Sequence, residues 1–88
     1  MIVGKIVGSI IATRKNENLI GSKFLIVEPI QSMKKNEHHL VAVDNVGAGI
    51  GDVVLVALGS AARIGCSMEK SPIDAAIVGI VDDGSGLE

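Results

Sequence analysis

From its first residues the chain alternates side chains with a period of two. In IVGKIVGSIIAT (2–13), Ile2, Gly4, Ile6, Gly8, Ile10 and Ala12 share one face. Val3, Lys5, Val7, Ser9, Ile11 and Thr13 share the other, where polar groups are mixed in. Period two with β-branched enrichment predicts a strand. Gly4 and Gly8 inside it predict bends or close backbone approach, as at barrel corners. Polar RKNENLIGS (14–22) leads to KFLIVEPI (23–30), a second strand that Pro29 should end or hold at an edge. Polar QSMKKNE (31–37) precedes a third strand, HHLVAVD (38–44), and DVVLVAL (52–58) is a fourth. SAARIG (60–65) reads as one helical turn, with Ser60 as the cap and Gly65 closing the end. IDAAIVGIVDD (73–83) is a fifth strand, because its Ile and Val residues and Gly79 outweigh the helix preference of its alanines.

Five short strands and one helical turn predict an all-β fold, a small, partly closed OB-like β-barrel. Residues 1–83 would form its single domain and 84–88 a frayed tail. A two-sheet sandwich is the alternative, but it needs more strands than the pattern supplies.

Strands four and five break the rule that one face of an antiparallel strand is wet. Val53, Leu55 and Ala57 point one way and Val54, Val56 and Leu58 the other; Ala75, Ile77 and Val81 likewise oppose Ala76, Val78 and Ile80. A chain of 88 residues has one core. Leaving roughly six such side chains in water would forgo about 1.5–3 kcal/mol each and expose a patch that monomers rarely tolerate. One reading is that another copy of the chain covers the second face, with Val54, Val56, Val78 and Ile80 as contact candidates. The other is that bulges and local helix cover it within the subunit.

Composition narrows the function. Hydrophobic residues make up 48% of the chain, but Phe24 is the only aromatic. With a net charge of −2, nothing favours a polyanion partner. An OB-type barrel raises oligonucleotide binding as the rival function, yet that chemistry uses stacked aromatics in a basic groove. Cys66 is alone, so no disulfide framework exists, and a buried or inert thiol in a reducing compartment is the expectation. No apolar run approaches the ~18 residues of a membrane span. The apolar start lacks a secretion signal's leading basic residues and small-residue cleavage site, so a cytosolic chain is expected.

The stretch DNVGAGIGDVVLVALGSAAR (44–63) raises a phosphate loop as a possibility, through Gly47, Gly49 and Gly51. A dinucleotide fingerprint needs a helix after its glycines, and here a strand follows. The glycines are therefore expected to serve a sharp connection and close backbone approach. His38 and His39 are neighbours on a strand and point to opposite faces, so they cannot share a metal. Asp82 and Asp83 are opposed in the same way, which fits strand termination better than paired acid–base catalysis. Ser60 lacks the G-x-S-x-G elbow of a nucleophile. Arg63 stands alone in an uncharged stretch, as an exposed residue or as a contact to a neighbour's carboxylate or carbonyl. No catalytic, cofactor or metal site can be named, and no enzyme activity is expected.

The order of segments resembles the EutN/CcmL family, the vertex proteins of bacterial microcompartment shells. GKIVGSIIATRK and LIGSKFLIV resemble its opening, DNVGAGIGD with VLV and GSAAR its central signature, and SPIDAAIVGIVD its closing strand. Asp52 stands where Glu is common, Val53 where many relatives carry an aromatic, and 31–37 lacks the usual glycine. The resemblance implies an OB-like barrel in a cyclic pentamer, set at the corners of a polyhedral shell in the bacterial cytoplasm. It implies a structural function, with hexameric shell proteins and enclosed enzymes as partners and no nucleic acid or membrane, and a metabolosome is favoured over a carboxysome. It also makes Gly47, Ala48, Gly49, Ile50, Gly51, Ser60 and Ala61 candidates for the five-fold axis or pore. Asn45 and Arg63 join the candidate subunit contacts.

Overall fold

A computed structural model describes residues 1–11, 17, 21–30, 39–59, 61–62 and 73–82. Its strands are β1 (Ile2–Ile10), β2 (Phe24–Pro29), β3 (Leu40–Asp44), β4 (Val53–Leu58) and β5 (Ala75–Ile80). They close into a barrel in the order β1-β2-β3-β5-β4. All neighbours are antiparallel except β3 and β5, which run parallel and pair only through Val43↔Ala76 and Asp44↔Ile77. The predicted all-β, five-stranded barrel is therefore the fold, and closure leaves no long sheet edge to recruit strands.

The interior follows the alternation of the strands. Ile6, Leu25, Val27, Ala42, Val54, Val56, Ala75 and Ile77 fill it together with Ala48 from the loop after β3. The glycines of β1 have the roles expected of them. A Cβ on Gly4 would lie 2.5 Å from Val27 Cγ1 and 2.8 Å from the Glu28 carbonyl oxygen, so only glycine permits this approach of β1 to β2. Gly8 follows a register shift after Ile6 in the same pair, which bends the strand and turns Gly8 and Ile10 outward, so the single face expected for Ile2 to Ile10 is broken at Val7. Pro29 closes β2 opposite Gly4.

A second, smaller cluster lies on the outside of the barrel. Val43, Ala57 and Ala76 alternate with interior residues and are covered by Ala62, from a helical turn at 61–62, and by Ile73, with Phe24 and Val78 packed alongside. The reading in which the subunit covers its own second face thus holds in part. The subunit roofs one end of its outer β4–β5 face itself, while Val53, Leu55 and Val78 stay half-buried, with Ile80 more exposed still. The expected cap Ser60, the turn end at Gly65, Cys66, His38, Asp83 and the 84–88 tail lie outside the described residues.

Candidate functional site

The loop joining β3 to β4 is braced by carboxylates at its two ends. Asp44 Oδ1 accepts hydrogen bonds from the amides of Val46, Gly47 and Ala48 at 3.1, 3.2 and 3.1 Å. Asp52 Oδ2 accepts from the Gly49 amide at 2.9 Å, while the Asp52 amide donates to the Gly49 carbonyl at 3.1 Å. Lys23 fastens the loop to β2 by donating from Nζ to the Ala48 carbonyl at 2.9 Å, with Asp44 Oδ2 at 3.9 Å. The Gly51 amide donates to the Ile6 carbonyl, and the Ile6 amide to the Asp52 carbonyl, both at 2.9 Å. Gly47 and Gly51 have φ of 80° and 96°, the left-handed region that other residues enter only with strain. The amides that could have cradled a phosphate are already engaged within the chain. The glycines shape a rigid turn.

At the tip of this turn Ile50 is 70% exposed, flanked by half-buried Gly49 and exposed Gly51. Gly47 is also exposed. Ala48 is not available to line an opening: its side chain is 1% exposed, inside the barrel core. Of the other axis candidates, Ala61 is exposed and Ser60 lies outside the described residues. Lys23, Asp44 and Asp52 were not among the sequence candidates, yet they hold the loop. The available signal was an Asp at each end of a glycine-rich turn, the residue type that captures nearby backbone amides.

Two contact candidates need correction. Val54 and Val56 are 0% exposed and belong to the interior, so they cannot touch a neighbouring subunit. The outward positions of β4 are Val53 and Leu55. A second effect separates β5 from the expected alternation. Leu55 pairs with Gly79 and Val56 with Ile77, so Val78 is an extra residue in the ladder. Such a bulge inverts the facing of everything beyond it. Val78 is half-buried at the bulge, and Ile80 pairs with Val54 while remaining 41% exposed. Asn45 is exposed at the start of the loop, and Arg63 lies outside the described residues.

The family model described as ethanolamine utilisation protein EutN/carboxysome matches residues 1–82. The chain belongs to the EutN/CcmL family. Among EutN/CcmL relatives, it is 45% identical over 83 residues to the bacterial microcompartment shell vertex protein GrpN of Rhodospirillum rubrum, covering 93% of each chain. It is 37% identical to the carboxysome shell vertex protein CcmL of Gloeobacter violaceus, covering 93% of this chain and 83% of that one. The solved GrpN structure, a pentameric microcompartment shell protein, superimposes with a TM-score of 0.82 over 94% of this chain and 95% of its own.

The remaining polar groups of this EutN/CcmL chain make local contacts. His39 Nε2 stands 3.3 Å from Glu28 Oε2 on the barrel surface. Among the described residues, no three His, Cys, Asp or Glu side chains are grouped so as to hold a metal ion. Phe24 is half-buried against the outer cluster, so the one aromatic is a packing residue rather than a stacking platform for bases.

Proposed function

We propose that the chain forms a cyclic homopentamer that closes the vertices of a bacterial microcompartment shell in the bacterial cytoplasm. The observation that carries this reading is the superposition of nearly the whole barrel on a pentameric shell protein. Apolar surface left on the outer faces of the barrel supports it, since copies of the chain would shelter that surface. Flat hexameric tiles alone make sheets, and a five-fold unit supplies the curvature that seals them. Hexameric shell proteins are then the partners at the rim, with enclosed enzymes behind them, and the chain performs no chemistry of its own. We favour a metabolosome shell over a carboxysome; the sequence identities do not separate the two, at 42% to one carboxysome protein CcmL and 39% to the microcompartment protein PduN.

The exposed tip 49–51 and the stretch 59–63 would lie towards the five-fold axis, where copies crowd and small side chains fit. Native mass measurement tests the ring, with five copies expected and a stable monomer opposing it. Co-expression with hexameric shell proteins tests the vertex. Closed particles are expected with the chain, and open sheets or tubes without it. Closed particles in both cases would refute the vertex role.

A further inference from the structure

Register alone brings a carboxylate and an imidazole together on the outside of β2 and β3. Val27 pairs with Leu40; Val27 is buried in the barrel interior and Leu40 packs against it. Side chains alternate along a strand, so the next residues of the two strands, Glu28 and His39, point outward. His39 Nε2 stands 3.3 Å from Glu28 Oε2, and both side chains are partly open to solvent. Their backbones are held firmly. Glu28 lies between fully buried Val27 and Pro29, which pairs with Gly4. His39 directly precedes Leu40, the first residue of β3.

The separation is informative. A charge-assisted N–H···O bond from an imidazolium to a carboxylate closes to roughly 2.7–2.9 Å. Two donors that share a tetrahedral zinc ion stand farther apart. With metal–nitrogen and metal–oxygen bonds of about 2.0–2.2 Å, the edge between them is about 3.3–3.5 Å. Glu28 and His39 already stand at that spacing. An imidazole with a carboxylate suits zinc and its neighbours among the transition metals, whereas calcium and magnesium favour all-oxygen sets.

The surroundings act in both directions. On one side the next outward pair, Ile26 and Val41, is an apolar wall. Beside it, attraction between a carboxylate and a cation is screened less than in open water. On the other side Lys5 is the Cα partner of Glu28. Lys5 is exposed, so solvent and salt screen its repulsion of a metal ion. We propose that Glu28 and His39 form a two-ligand site for a divalent transition-metal ion, zinc above all, with water in the remaining positions. Among the described residues no third ligand joins them, so the site binds more weakly than a four-ligand structural zinc site and exchanges its ion. The spacing of residues along the chain could not show it, because the second ligand comes from the preceding strand and not from His38. The site belongs to one subunit and does not depend on the vertex reading.

The test is zinc chloride titrated into the untagged full chain by calorimetry. One ion per subunit is expected, with affinity reduced at least about tenfold by Glu28→Gln and by His39→Gln. The two losses should not add in the double variant, because both side chains hold the same ion. Circular dichroism should show the strand signature unchanged, since both side chains lie on the surface. Magnetic resonance supplies a readout that needs no variant: the ring signals of His39 should move as zinc is added. Several results would overturn the assignment. They are no binding at zinc concentrations up to about 1 mM, affinity unchanged in either variant, and His39 ring signals that stay in place. Binding lost in His38→Gln or Cys66→Ser but kept in Glu28→Gln would likewise overturn it.

Discussion

Leu55 lies across Gly79 on the outer face of the β4–β5 pair, with the place of a glycine Cβ only 3.3 Å from Leu55 Cδ1. The glycine is thus part of the surface's shape. Gly79→Val should lift Leu55 off the sheet and roughen the face, while the interior keeps its packing. The expected outcome is a ring that dissociates at about tenfold higher concentration, equivalent to about 1.4 kcal/mol. A dilution series in the analytical ultracentrifuge, with circular dichroism as the check on folding, measures it.

Neighbouring positions on β4 should respond in opposite ways. Val56 is 0% exposed in the core, so Val56→Ala opens a cavity and should destabilise the subunit by about 2 kcal/mol. Leu55 is half-buried on the outside, so Leu55→Ala should cost the subunit under about 1 kcal/mol and act mainly on assembly. Urea unfolding of both variants over a range of chain concentrations separates the effects, because the contribution of assembly to apparent stability depends on concentration and that of core packing does not.

Asp44 holds three consecutive amides with one oxygen. Asp44→Ala leaves those donors without their acceptor and removes the ion-pair partner of Lys23. A loss of about 1–3 kcal/mol is expected, Ala48 being the donor least open to water. Asp44→Asn retains an oxygen acceptor and should lose less. Hydrogen exchange at Val46, Gly47 and Ala48 should quicken in the alanine variant while exchange in β1 stays slow.

Gly49 differs from its glycine neighbours. A Cβ there meets nothing within 4 Å, and its φ lies outside the left-handed region. Gly49→Val should therefore leave the thermal unfolding of the isolated barrel nearly unchanged. If the tip faces the five-fold axis, the same substitution should impair ring assembly or shell closure. Normal closed shells with this variant would place the tip away from the axis.

Much of the architecture was legible in the linear pattern. Alternation in 2–10 and 24–29, the punctuating glycines and Pro29 marked strands whose observed ends fall within a few residues of expectation. That is the expected strength of a period-two signal, which reports burial directly. The central signature 44–63 carried the family resemblance, and the match over residues 1–82 agrees with it.

What the pattern could not decide was which side of β4 is inside. Val53 to Leu58 is apolar throughout, so the alternation carries no polar marker and either facing reads equally well. Closure of the barrel made the choice, because Val54 and Val56 meet Ile6, Leu25 and Ile77 only in the assembled interior. The extra residue at Val78 was equally hidden, since a bulge is a property of two paired strands and not of one. The chain by itself determined where strands form and which residues they contain. Only the tertiary structure decided which apolar surface is core and which stays on the outside of the barrel, because that depends on contacts between segments far apart in sequence.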